Sequence, residues 1–164
     1  LRRVRRALAR QQVLEVHPDG RAAGVALDAT MLGAVPDEGD WVPMRDAKVS
    51  IMTHSFLYGT AVFEGIRAYW NAEQGQLYLL KLKEHYERIL DSCKILMMDP
   101  GMSVQQLMDA TAEVIRRNEY REDTYIRATI YKSTEAIGVR LHNVECQTNI
   151  LSINATIEAA RAGA

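Results

Sequence analysis

The sequence predicts an α+β domain of two layers, a largely antiparallel sheet with two helices packed on one of its faces. Three observations carry that prediction. Thr60–Tyr69 (TAVFEGIRAY) is rich in β-branched and aromatic residues, as strands are. Two neighbouring segments between residues 82 and 118 repeat apolar side chains at helical spacing. The chain then returns to alternation at Thr124–Tyr131 (TYIRATIY). This order leaves one sheet face covered by helices and the other for something else.

Taken in order, residues 1–38 read as an irregular leader. Val13, Leu14 and Val16 form at most one short strand, and HPDG at 17–20 is a turn, because proline fixes φ and Asp-Gly supplies the left-handed residue. Gly33–Asp40 (GAVPDEGD) reads as a loop, and regular structure is expected from Trp41. Ala47–Met52 alternates, with Val49 and Ile51 on one face, and predicts a strand. Thr53–Gly59 (THSFLYG) reads as a turn before the long strand at 60–69. Gln76–Leu80 is the next strand, after a turn around Gly75.

The first helix places Tyr86, Ile89, Leu90, Cys93 and Met97 on its inner face, with Pro100 and Gly101 as its stop. Ser103 opens the second, because Ser-Val-Gln-Gln is a capping box. Val104, Leu107, Met108, Thr111, Val114 and Ile115 form its inner face, and Arg116 and Arg117 complement the dipole at its end. Strands at 124–131 and 149–153 complete the domain.

The 164 residues, 48% apolar and 25% charged, suit one globular domain with a real core. No apolar run reaches 18 residues, so no membrane span is expected. Cys93 and Cys146 are too few for a disulfide framework and lack metal-ligand spacing, which predicts a reducing, cytoplasmic setting. Five arginines (Arg2, Arg3, Arg5, Arg6, Arg10) crowd the first ten residues; beyond them 15 basic residues face 21 acidic ones. A nucleic-acid-binding domain is therefore not expected. The chain opens on Leu1, so it reads as a fragment, a processed chain or an unusual gene start, with LRRVRRALARQQ as a dispensable extension.

Side chains alternate across a strand. Phe63, Gly65, Arg67 and Tyr69 share one face of the 60–69 strand, and Val62, Glu64, Ile66 and Ala68 share the other. Tyr125, Arg127, Thr129 and Tyr131 likewise oppose Ile126, Ala128 and Ile130. If the two strands are neighbours, two guanidinium groups, a phenol and a glycine converge. That set suits a carboxylate-bearing ligand, and a glycine inside a strand often marks close approach by a ligand or another backbone. A solvated sheet face with cross-strand pairs is the plainer alternative.

Asp46–Tyr69 (DAKVSIMTHSFLYGTAVFEGIRAY) closely resembles the N-terminal hallmark of branched-chain amino acid aminotransferases, enzymes of fold type IV that use pyridoxal phosphate (PLP). The similarity continues through LKEHYERILDSCKI (Leu82–Ile95), VIRRN (Val114–Asn118) and TYIRATIY, and covers roughly residues 39–154. It implies a small N-terminal domain over 39–155 and the start of an interdomain linker at 156–164. Arg88 matches the arginine that holds the cofactor phosphate; from the sequence alone it reads as an i,i+4 partner of Glu84.

By the same resemblance, Phe63, Gly65 and Arg67 line the substrate pocket, and Tyr125 contacts the substrate α-carboxylate. Arg127 and Tyr58 accept the side-chain carboxylate of glutamate, and Val139 reaches into a partner subunit's pocket. A homodimer or higher homo-oligomer follows from that match. The loop EAIGVRLHN departs from the family pattern, having no proline after the valine. His54 and His85 read as structural hydrogen-bonding residues, and no metal site is expected.

PLP chemistry requires a lysine that carries the cofactor and moves the α-proton. None of Lys48, Lys81, Lys83, Lys94 and Lys132 matches that position, which the family places in a second, C-terminal domain. The expected activity is transamination between leucine, isoleucine or valine and 2-oxoglutarate, with this chain inactive alone. D-amino acid aminotransferase or aminodeoxychorismate lyase is the alternative within the fold. A non-catalytic binding or assembly domain is the alternative outside it. FEGIRAY with Tyr-x-Arg at 125–127 favours the branched-chain type.

Overall fold

A computed structural model describes residues 48–154, together with the backbone of three short strands nearer the N-terminus. These are β1 (Glu15–Val16), β2 (Met31–Val35) and β3 (Trp41–Pro43). Then come α1 (His54–Tyr58), β4 (Ala61–Asn71), β5 (Gln76–Leu79), α2 (Leu82–Ile95), α3 (Val104–Asn118), β6 (Thr124–Lys132) and β7 (Cys146–Asn154). The strands form one sheet in the order β1-β5-β4-β6-β7-β2-β3, with every neighbouring pair antiparallel. The predicted α+β two-layer architecture is what forms.

Register decides what each face carries. Ile66 pairs with Ile126 and Glu64 with Ala128, and across the next ladder Ala128 pairs with Ile150. These side chains are buried on the side that α2 and α3 cover. Tyr86, Ile89 and Cys93 of α2 and Leu107, Val114 and Ile115 of α3 fill the space against them. Tyr86 donates its hydroxyl hydrogen to Thr111, whose own hydroxyl donates to the Leu107 carbonyl at 2.9 Å. Burial pushes the Tyr86 phenol far above its ordinary pKa, so it stays a neutral donor.

The capping box forms as predicted: Ser103 Oγ accepts from Gln106 N, and Gln106 Oε1 accepts from Ser103 N at 2.8 Å. The end of α2 differs from expectation. The helix stops at Ile95, before Pro100 is reached. Met97 takes a left-handed φ of 53°, and Met98 N returns to the Cys93 carbonyl at 2.9 Å, a Schellman closure. That reversal turns Met97 outward and puts Met98 into the core in its place.

Three other expectations are corrected. Ala47–Met52 is not a strand: residues 48–50 are irregular and Ile51–Met52 form a turn, closed by Thr53 N to the Ser50 carbonyl at 3.0 Å. Alternation makes a strand only where a neighbouring ladder accepts it, and here only Thr53 finds a bridge partner, Glu135. THSFLYG is a short helix, not a turn, bracketed by Thr53 and by Gly59 at φ 68°. Met31–Val35, read as irregular, is a strand seated between β7 and β3. HPDG, the arginine-rich leader and residues 156–164 lie outside the described residues.

Candidate active site

The face of β4 and β6 away from the helices carries the predicted constellation. Gly65 pairs with Arg127, Arg67 with Tyr125, and Phe63 with Thr129. The Arg127 guanidinium carbon lies 4.0 Å from the centre of the Phe63 ring, and that of Arg67 lies 5.7 Å from the Tyr125 ring. Each guanidinium thus rests on an aromatic ring of the neighbouring strand, which fixes its plane. Gly65 makes the arrangement possible. A Cβ there would meet Tyr125 Oη at 2.9 Å and its ring at 3.1 Å, so the phenol occupies the space a side chain would take. Tyr131 shares this face in sequence but is buried and bonded to Gln147 at 2.7 Å, outside the cluster.

Tyr58 stands at the end of α1, just before β4, and meets the loop after β6. Its hydroxyl oxygen accepts from the Gly138 amide at 2.8 Å, so its own hydrogen remains to be donated. The His54 ring, 4.7 Å from that of Tyr58, donates from Nε2 to the Gly138 carbonyl at 2.9 Å and accepts at Nδ1 from Thr60 at 2.8 Å. Gly138 is therefore held on both sides, and Val139 beside it stands 79% exposed. Lys132, buried at the end of β6, donates to the Leu141 carbonyl and secures the far limb of the same loop. The roles of His54 and Lys132 as loop anchors are not visible in the sequence, because both partners are backbone carbonyls.

Arg88 is not on this face. Its Nε and Nη2 donate to the two carboxylate oxygens of Glu64, both at 2.6 Å, and His85 Nδ1 donates to Glu64 Oε2 at 2.8 Å. The expected Glu84 pairing is replaced by one with Glu64, which stands on the helix-covered side of β4 between Phe63 and Gly65. A signal for this existed. An acid alternating with Ile66 and Ala68 on a covered face requires a cation, and His85 and Arg88 lie one helical turn apart.

Hydrogen bonds from Arg88, opposed by burial and reinforced by His85, hold the Glu64 carboxyl below its ordinary range. Its stabilising contribution is therefore fully present above that range and lost as the pH falls through the depressed value. Urea unfolding should show Glu64→Gln less stable than the parent by a margin constant above about pH 5 and shrinking below about pH 4. A margin undiminished at about pH 2 contradicts this assignment.

Neither cysteine is prepared as a nucleophile: burial pushes the Cys93 thiol up to about 11 and raises that of Cys146. Among the described residues, no group of three or more His, Cys, Asp or Glu is placed to hold a metal ion. No described helix is long and apolar enough to cross a membrane.

The fold is thus a two-layer α+β domain whose antiparallel sheet is covered by two helices on one face and carries stacked arginines, a phenol and a bare glycine on the other. Residues 61–162 match the family model of class IV amino-transferases. This chain belongs to that family, and its fold is that of the family's N-terminal domain.

A probable branched-chain-amino-acid aminotransferase of Aquifex aeolicus is 55% identical over 94 residues, 57% of this chain and 30% of that protein. The branched-chain-amino-acid aminotransferase of Escherichia coli K12 is 40% identical over 101 residues, 62% of this chain and 32% of that one. The crystal structure of the Thermoproteus uzoniensis branched-chain aminotransferase with norvaline superposes with a TM-score of 0.71 at 35% identity, covering 77% of this chain and 41% of that one. The branched-chain amino acid aminotransferase of Thermobaculum terrenum in its PLP-form gives 0.66 at 29% identity, over 78% and 41%. The chain thus spans about a third of the length of the curated relatives it matches.

Proposed function

We propose that this chain is the substrate-gating small domain of a branched-chain amino acid aminotransferase that uses PLP, with leucine, isoleucine or valine and 2-oxoglutarate as substrates. The observation that carries it is the pair of stacks, Arg127 on Phe63 and Arg67 on Tyr125, around Gly65. The donor set also fits the cofactor. Glu64 occupies only the Nε–Nη2 edge of Arg88, and the Nη1 edge makes no hydrogen bond among the described residues. That edge is a two-toothed grip for a phosphate.

PLP, when bound, would supply an electron-withdrawing ring and an aldehyde carbon able to carry an amino group between substrates. The protein supplies position. Arg88 holds the phosphate, and the Tyr125 hydroxyl donates to the substrate α-carboxylate. Phe63 and the bare backbone at Gly65 leave apolar room for a branched side chain. Arg127 and Tyr58 donate to the distal carboxylate when glutamate or 2-oxoglutarate enters, so one pocket takes both substrate types.

The lysine that carries the cofactor belongs, in this reading, to a second domain beyond residues 39–155. A homodimer is favoured by the exposed apolar surface of Ile51, Phe56, Ile137 and Val139, which a partner would cover. Free Cys93 and Cys146 suit the cytoplasm.

The test is a substrate panel on the complete enzyme, alongside the 164-residue chain. The complete enzyme should form glutamate from L-leucine, L-isoleucine and L-valine, and none above background from D-alanine. The shorter chain with PLP, leucine and 2-oxoglutarate should form none. Turnover by this chain alone, or a preference for D-alanine, overturns the reading.

A further inference from the structure

Glu64 has a position that substrate contact does not explain. Its neighbours Phe63 and Gly65 face the open side, but Glu64 enters the covered side and is 8% exposed. A carboxylate there is tolerated only when paired and hydrogen-bonded. Its three donors are Arg88 Nε, Arg88 Nη2 and His85 Nδ1. The pair is lopsided, since the Glu64 side chain is held in the sheet while that of Arg88 is 64% exposed. The sheet therefore fixes the acid, and the acid fixes the guanidinium. With one edge of its planar fork occupied, Arg88 presents the other in a single orientation.

We propose that Glu64, steadied by His85, is a positioning residue that holds Arg88 ready for the cofactor phosphate. This rests on the reading of Arg88 as the phosphate-binding residue. An unrestrained arginine surrenders its rotamer freedom on binding; one already clamped surrenders little. The clamp also ties two parts of the site together. Phe63, Glu64 and Gly65 are consecutive, so the strand register that sets the substrate face sets the phosphate grip as well. The opposing effect is charge: a carboxylate beside Arg88 weakens its pull on an anion. The two effects predict opposite signs, which makes the proposal decidable.

The experiment uses apoprotein of the complete enzyme, titrated separately with PLP and with pyridoxal, which lacks the phosphate. Binding is read by fluorescence and by the 31P resonance of the bound cofactor. Glu64→Gln should raise the Kd for PLP about tenfold. It should leave the Kd for pyridoxal within about twofold and should broaden the 31P line. His85→Gln should raise the PLP Kd about threefold. Arg88→Met should erase the advantage of PLP over pyridoxal.

If Arg88→Met binds PLP as the parent does, the reading of Arg88 fails. If Arg88→Met weakens PLP but Glu64→Gln binds it as tightly as the parent, or more tightly, the positioning proposal alone is overturned. Equal loss of PLP and pyridoxal in Glu64→Gln also overturns it, because that marks general damage to the fold. Should Glu64→Gln not fold, Glu64→Asp keeps the charge and shortens the reach. Weaker PLP binding alone then supports the proposal, and unchanged binding overturns it.

Discussion

Gly65→Ala should lower kcat/KM of the complete enzyme for leucine about 100-fold while leaving the unfolding free energy within about 1 kcal/mol of the parent. The new Cβ meets Tyr125 Oη at 2.9 Å and the ring at 3.1 Å. Those atoms are the far end of a half-buried side chain on the open face, so the ring yields and the backbone does not. Gly65 has no left-handed φ, so alanine is conformationally permitted there. Restricting the unfolded chain even returns a fraction of a kcal/mol.

The cost therefore falls on geometry. The phenol proposed to meet the α-carboxylate moves, and a misplacement of about 1 Å is enough to remove two orders of magnitude in rate. Urea melts and steady-state kinetics separate the two effects. Unchanged kinetics with the alanine in place removes Tyr125 from the site.

Arg127→Met should divide the two substrate types. Methionine keeps the unbranched stem and packs on the Phe63 ring, so the apolar part of the pocket survives. What disappears is a charged donor. A hydrogen bond to a charged group is worth about 1.5–3 kcal/mol, which is roughly a 10- to 150-fold rise in KM for glutamate and 2-oxoglutarate. The KM for leucine should stay within about threefold, because its side chain offers that donor nothing. Parallel rises for leucine and glutamate contradict the assignment and mark Arg127 as a general support of the sheet face.

Much of this site was legible because strands enforce a period of two. Phe63, Gly65 and Arg67 could be placed on one face of their strand, and Tyr125 and Arg127 on one face of theirs, and the β4–β6 ladder makes the two strands neighbours. The capping box at Ser103 was equally local, since all its atoms lie within one turn. Ala47–Met52 failed for the complementary reason. Its alternation was real, but no ladder lies beside it, and the chain turns into α1 instead. Met97 failed at a helix end, where one left-handed residue exchanges the side chain that enters the core.

The sequence by itself determined the strand faces, the two helices and the inventory of donors, because each depends on residues near one another in the chain. Tertiary structure alone decided which of those donors work together. Glu64 meets Arg88 across 24 residues, and His54 meets Gly138 across 84. Such pairs arise only when the sheet register and the helix packing are both set. A covered carboxylate then takes the cation that packing delivers, and here that is Arg88, with the Glu84 expected as its partner one turn away.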